Sequence, residues 1–285
     1  MTATIIKGKE VAVEIRAALK EEVQQLRDQQ IIPGLSVILV GENPASQSYV
    51  KAKARACEEI GVASEVLKRE VSITQEELLA DIQALNENPN VHGILVQLPL
   101  PKHIDEKAVL NAIDPKKDVD GFHPISVGNM VIGDECYLPC TPHGIIELIK
   151  RSGETIEGKH AVVVGRSNIV GKPVAMLLLQ EHATVTIAHS RTKNLSVLLK
   201  EADIIVAAVG KPRLVTAEDV KEGAIVIDVG NTSENGKLVG DVDFDSVKEV
   251  AGYLTPVPGG VGPMTITMLL KNTVEAAKVI HHVSK

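Results

Sequence analysis

His160-Ala-Val-Val-Val-Gly165-Arg-Ser-Asn-Ile-Val-Gly171-Lys-Pro173 is the stretch from which the architecture of this chain can be read. Ala161 to Val164 form a short run of small and β-branched apolar residues, suited to a strand buried on both faces. Gly165 ends the run, a polar turn follows, and Gly171 with Pro173 opens an apolar segment from Val174 to Leu179. Proline in the first turn of a helix sacrifices no hydrogen bond, because those N–H groups have no intrahelical partner. The pattern is strand, glycine turn, helix. Unpaired N–H groups at such a helix start, with the positive end of its dipole, would suit a pyrophosphate.

The loop differs from the general dinucleotide fingerprint. G-x-G-x-x-G requires a glycine where Ser167 stands, and only Gly165 and Gly171 are present. By itself the loop fits either a nucleotide site or a tight structural turn. The following strand, Thr184 to Ala188, ends in His189-Ser-Arg-Thr192. An NAD site usually places an acid there, about 20 residues past the glycines, to accept from the ribose 2′-hydroxyl. Ser190 and Arg191 instead suit a 2′-phosphate, with Arg166 as a second cation, so NADP is expected over NAD. A solvated basic corner is the plainer reading of the same residues.

The chain has 285 residues, which suggests two domains. Apolar residues make up 44%, charged residues 24%, and the net charge is −7 with no long basic run, which argues against nucleic acid as a partner. Cys57, Cys136 and Cys140 show no disulfide framework, and neither a signal peptide nor an 18-residue apolar span is evident; the expectation is a reduced, cytoplasmic protein away from membranes. The histidines lack ligand spacing, so no metal site is expected.

Along the first hundred residues, strands and helices alternate. A helix is expected over Lys9–Gln29, with Val13, Ile15, Leu19, Val23 and Leu26 as its apolar positions. Strands follow at 35–40, 62–67 and 93–97, with helices at 45–60 and 74–85, the last opening on a Thr74-x-x-Glu77 capping box. Asp114 to Tyr137 is rich in turn formers and reads as irregular. The junction falls near Pro139-Cys140-Thr141-Pro142, followed by a helix over His143–Arg151. A second series places strands at 161–165, 184–188, 203–207 and 224–228. A last helix, Pro263 to about His282, is apolar enough to pack back on the first domain. The fold class is α/β, with an N-terminal αβα sheet domain (1–139 plus 268–285), a Rossmann-like nucleotide-binding domain (140–267) and a cleft between them.

In open α/β sheets, ligands bind beyond the carboxyl ends of the strands. Three polar features of the first domain fall there. Tyr49 and Lys53 are four apart, on one face of a helix; Gln97 follows a strand and precedes two prolines; Asp120 sits in Lys116-Lys-Asp-Val-Asp-Gly-Phe122. Each alone has a bland reading: a solvated helix face, a strand end and a plain turn.

Taken together, Tyr49-Val-Lys-Ala-Lys53, Gln97-Leu-Pro-Leu-Pro101, Lys117-Asp-Val-Asp-Gly121, Pro139-Cys-Thr-Pro142, Gly165-Arg-Ser-Asn-Ile-Val-Gly-Lys-Pro173 and Pro258-Gly-Gly-Val-Gly-Pro-Met-Thr265 closely resemble the bifunctional methylenetetrahydrofolate dehydrogenase/cyclohydrolase family of folate enzymes. The resemblance covers almost the whole chain, in the family's order. It implies oxidation of 5,10-methylenetetrahydrofolate by hydride transfer to NADP, then hydrolysis of the methenyl cation to 10-formyltetrahydrofolate. On this resemblance Lys53 acts as the base of hydrolysis, in its neutral form, and Gln97 orients it. Tyr49 borders the folate ring, and Asp120 accepts from the amino-pyrimidine edge of the pterin. Pro258, Gly259 and Gly262 border the folate; Gly165, Arg166, Ser167, Ser190, Thr141 and Asn231 contact NADP. Asn231 departs from many relatives, which carry an apolar residue there. The family is dimeric, so a homodimer is implied. The competing readings are another small-substrate dehydrogenase of this architecture and a non-catalytic nucleotide-binding module.

Overall fold

The chain opens with a two-residue strand, β1 (Thr4–Ile5), that pairs in parallel with Tyr253–Leu254 near the other end of the sequence. The computed structural model describes residues 2–283. These form two compact units, one of residues 2–13 with 141–265 and one of residues 14–140 with 266–283. The sequence pattern alone places residues 1–13 in the N-terminal domain. The pairing of β1 ties Thr4 and Ile5 to the six-stranded sheet, which satisfies their backbone groups. Helix α1 (Gly8–Asp28) follows; Ala12, Leu19, Val23 and Leu26 are its buried apolar residues, while Val13, expected among them, is exposed.

The unit of residues 14–140 and 266–283 is built on three parallel strands. β2 (Gly34–Val40) is buried at every position, as a central strand covered on both faces must be. Helix α2 (Pro44–Ile60) starts where the Asn43 side chain accepts from the Ala45 and Ser46 amides at 3.0 and 3.1 Å, and it ends at Gly61 with φ 87°. β3 (Ala63–Arg69) is the solvent-facing edge, tied to the next helix by a two-pronged Arg69–Asp81 pair at 2.7 and 2.8 Å. Helix α3 (Gln75–Glu87) carries the expected capping box of Thr74 with Glu77. β4 (Gly93–Val96) completes the sheet in the order β3-β2-β4. Ile38, Val40, Leu78, Ile82, Ile94 and Val96 form its core.

A short helix, α4 (Glu106–Asn111), follows β4, and a second, α5 (Pro124–Ile132), interrupts the region read as irregular. The second has its own start and stop signals: the His123 ring accepts from the Ile125 amide, Pro124 follows at once, and Gly133 closes at φ 83°. Helix α6 begins three residues earlier than expected and runs over Cys140–Arg151.

The other unit holds a six-stranded parallel sheet. Its elements are β5 (His160–Val164), α7 (Gly171–Gln180), β6 (Thr184–Ala188), α8 (Leu195–Lys200), β7 (Ile204–Ala207) and β8 (Ile225–Asp228). A hairpin of β9 (Thr232–Glu234) and β10 (Lys237–Val239) turns on Asn235-Gly236, both at positive φ, and α9 (Phe244–Val247) leads to β11 (Tyr253–Leu254). The sheet order is β1-β11-β8-β7-β5-β6, around a core that includes Val162, Val164, Ile205, Val226 and Leu254. Helix α10 (Val261–Ile280) ends the series. No helix among the described residues is long and apolar enough to cross a membrane.

Candidate active site

In the three-stranded sheet the connection from β2 leads outward to β3, and β4 lies on β2's other side. The carboxyl ends of β2 and β4 therefore flank a topological switch point, the place where such sheets bind ligands. Gln97 stands one residue beyond β4. Its amide nitrogen donates to the Leu98 carbonyl at 2.9 Å, which leaves its oxygen to accept from Lys53 Nζ at 3.1 Å. The half-buried Lys53 is held there by α2, and Tyr49, one turn earlier on that helix, is 42% exposed.

Asp120 completes this group. Burial raises its carboxyl above the usual range, while the Lys53 charge and a hydrogen bond from the Cys140 thiol pull the other way. Burial, then the charge of Asp120, lifts the Cys140 thiol well above its ordinary value, so it serves as a donor rather than a thiolate. Asp118 shapes the loop that presents Asp120. Its carboxylate accepts from the Phe122 and His123 amides at 3.3 and 2.8 Å and from the Ser126 hydroxyl at 2.8 Å. Burial nevertheless pushes Asp118 up to about 6.

The six-stranded sheet has its own switch point, between β5 and β7. Gly165 sits there at φ 128°, and a methyl group on it would run into the Ala208 carbonyl oxygen beyond β7. A methyl on Gly171 would run into the Gly165 carbonyl. The helix start behind this turn is not the open anion site that the sequence suggests. Ser167 Oγ accepts from the Val170 and Gly171 amides, each at 3.2 Å, its carbonyl takes the Lys172 amide at 3.0 Å, and Pro173 has no N–H. Ser167 thus caps α7 itself, leaving the exposed Arg166 side chain as the cationic element of the turn. Beyond β6, the His189 amide donates to Thr192 Oγ1 at 2.8 Å and the Arg191 amide to the His189 ring at 3.2 Å, a closed turn with Ser190 and Arg191 exposed. No acid stands at this strand end, and the donor set fits a phosphorylated dinucleotide.

Residues 6–120 match the family described as tetrahydrofolate dehydrogenase/cyclohydrolase, catalytic domain, and residues 139–281 match its NAD(P)-binding domain. The chain belongs to the tetrahydrofolate dehydrogenase/cyclohydrolase family. It is 66% identical to the bifunctional protein FolD of Brevibacillus brevis over 279 residues, 98% of each chain, and 63% identical to that of Bacillus cytotoxicus over the same length. Among solved structures it resembles the bifunctional FolD of Campylobacter jejuni at 53% identity and TM-score 0.96, covering 97% of this chain and 99% of that one. It also resembles the Trypanosoma brucei dehydrogenase-cyclohydrolase, a complex with NADP and an inhibitor, at 43% identity and TM-score 0.94, covering 98% of each chain.

Against the two domains of this family, the sequence-derived residues divide cleanly. Tyr49, Lys53, Gln97 and Asp120 fall in the three-stranded unit, and the structure joins the last three by a hydrogen bond and a charge interaction. Gly165, Arg166, Ser167, Ser190 and Asn231 lie at the carboxyl edge of the six-stranded sheet. Thr141 shares that unit, its hydroxyl 2.8 Å from that of Thr265. Pro258, Gly259 and Gly262 also belong to it; a methyl on either glycine would meet nothing within 4 Å. Sequence reasoning missed the acids that shape these loops. Asp228 accepts from the Gly230, Asp241 and Val242 amides at 2.9, 2.8 and 3.0 Å, and Asp241 accepts from the Val209 and Gly210 amides at 2.6 and 2.9 Å. An acid ending an apolar strand, as Asp228 does, is the one signal of this role that the sequence carries.

Proposed function

We infer that this chain oxidises 5,10-methylenetetrahydrofolate with NADP and hydrolyses the 5,10-methenyl product to 10-formyltetrahydrofolate. Near-full-length identity to bifunctional relatives and a match to both family domains support the pair of activities. The observation that carries the assignment of roles is the Lys53–Gln97 hydrogen bond with Asp120 in electrostatic reach.

Hydrolysis of a methenyl cation requires attack by water, breaking of the carbon's bond to N5 to leave the formyl group on N10, and net loss of one proton, so a base at the carbon accelerates it. Lys53, acting as the free amine, takes that proton, and Gln97 holds its rotamer by accepting from Nζ. Asp120 accepts two parallel donors from the amino-pyrimidine edge of the pterin, a bidentate match that sets which way the folate lies. Tyr49, one helical turn before Lys53, offers an aromatic face to the folate's linking ring.

NADP, when bound, accepts the hydride, and that transfer needs positioning rather than a proton relay. Arg166, with Ser190, would hold the 2′-phosphate; the Gly165 turn, Ser167, Thr141 and Asn231 would hold the remainder. The open space around Gly259 and Gly262 suits close approach of the folate to the backbone. The protein works as a homodimer in the cytoplasm on this reading. The assay is direct: purified protein with methylenetetrahydrofolate and NADP should give NADPH, and with methenyltetrahydrofolate alone should accelerate loss of its absorbance. Failure of either reaction removes that half of the reading. Arg166→Ala should weaken NADP roughly tenfold or more while leaving NAD little changed, as expected for a lost charge-assisted contact; equal losses would remove Arg166 from recognition of the phosphate.

A further inference from the structure

Asp120 belongs to a loop with almost no regular structure, yet its task on the reading above requires a fixed carboxylate. The amide of Asn272 is placed to fix it. Asn272 lies on α10, 5% exposed, more than 150 residues along the chain from the loop. Its Nδ2 has two hydrogens, and they go to the Val119 carbonyl at 2.8 Å and the Leu138 carbonyl at 2.9 Å. The Val119 carbonyl is part of the peptide plane that carries the Asp120 nitrogen, so this bond acts directly on the backbone of Asp120. The Leu138 carbonyl belongs to the segment leading to Cys140, whose single thiol hydrogen has both the Val119 carbonyl, 3.3 Å from Sγ, and the Asp120 carboxylate within reach.

The two segments touch where Gly121 stands at φ 74°: a methyl there would lie 2.6 Å from the Tyr137 carbonyl oxygen and 2.7 Å from Pro139 N. Asn272 therefore bridges two strands of loop already in contact, and it holds the amino side of Asp120 while Asp118 gathers the carboxyl side through Phe122 and His123. A hydrophobic residue of similar volume would fill the space but leave the Leu138 carbonyl without this donor and free the Val119–Asp120 peptide to tilt.

We propose that Asn272 is a positioning residue for folate recognition, acting through the Val119–Asp120 peptide to aim the Asp120 carboxylate. The proposal rests on the folate reading of Asp120. A residue with a purely structural role would lower stability alone, as replacement of its neighbour should: Thr273 is fully buried and its hydroxyl donates only along its own helix, to the Leu269 carbonyl at 2.8 Å.

The test is a double-mutant cycle on the full chain with the methenyltetrahydrofolate hydrolysis assay. Asp120→Asn, measured first, checks the underlying reading: an unchanged KM for folate would remove Asp120 from recognition, whatever Asn272 does. Given a raised KM for that variant, Asn272→Leu should raise KM for folate about tenfold with kcat less affected and NADP affinity unchanged, and in the Asp120→Asn background it should add less than twofold. Thr273→Val should lower the melting temperature without moving KM. An unchanged KM in Asn272→Leu, or full additivity with Asp120→Asn, overturns the proposal. Should Asn272→Leu not fold, Asn272→Ser takes its place in the cycle, and the same two results overturn the proposal.

Discussion

Gln97 has one carbonyl and one amino group to place, and the Leu98 carbonyl decides which faces Lys53. Because Leu98 takes the amino group, Lys53 meets a neutral acceptor that steadies its amine without adding charge. Gln97→Glu reverses this: a carboxylate would favour the ammonium, which is useless as a base at neutral pH. Hydrolysis at pH 7 should fall roughly tenfold or more and recover toward alkaline pH, since an adjacent carboxylate favours the protonated amine over the free base. A pH–rate profile checks it, and a profile parallel to that of the unaltered protein would contradict the orienting role. The side chains of this group can be picked out in sequence because Lys53 shares a helix face with Tyr49, Gln97 follows a buried strand and Asp120 sits in a turn. Asn272 cannot be, because its partners are backbone carbonyls of distant segments that no local pattern reveals; Asp118 cannot be, because an acid bonding amides a few residues on looks in sequence like any turn former.

At the scale of elements, local chemistry makes most of the fold readable. The Thr74–Glu77 box, the Asn43-Pro44 start of α2 and the unbroken apolar run of β5 each specify their element by side chains within a few residues. Two signals are present but easily passed over: Pro124 with Gly133 around α5, and Asn235-Gly236, whose paired positive φ values are what a two-residue hairpin turn needs. β1 and β11 are two residues each, too short for any period to show. The turn after β5 gives the sharpest prediction here. In Gly165→Ala the new methyl meets the Ala208 carbonyl at a backbone angle that L-residues avoid. NADP should bind roughly tenfold or more weakly, from about 1–3 kcal/mol of local strain, while methenyl hydrolysis persists. Calorimetric titration of NADP beside the hydrolysis assay checks this, and undiminished NADP binding would show that the turn is not part of the cofactor site.

Over the whole molecule, the two units are legible from the restart of the strand–helix alternation, but the place of Thr4 and Ile5 is not, because a two-residue strand declares its sheet only by pairing. Acid sensitivity is also set at this scale. Burial, then the His281 ring and the Lys117 charge, brings the His92 imidazole down from 6.5 to about 4. Its Nδ1 accepts from the Gly34 amide at 3.0 Å and its Nε2 lies 3.0 Å from His281 Nε2. Between those pH values the unfolded chain binds a proton that the fold refuses, so stability falls as pH drops through the window, by up to about 3 kcal/mol. Asp118 and Asp228, both raised from 3.8 to about 6, act oppositely and gain stability as pH falls through theirs. His92→Asn, which keeps an acceptor for Gly34, should lose less stability than the unaltered chain between pH 7 and 5; urea denaturation at both values reads it, and equal losses would contradict it. The central claim is a division of labour, with hydrolysis resting on Lys53 in the three-stranded unit and cofactor binding on the other unit. Lys53→Met tests it most directly: methenyl hydrolysis should fall by about 10²-fold or more while NADP affinity stays within about twofold, and a variant that still hydrolyses the methenyl substrate at the original rate would contradict the account.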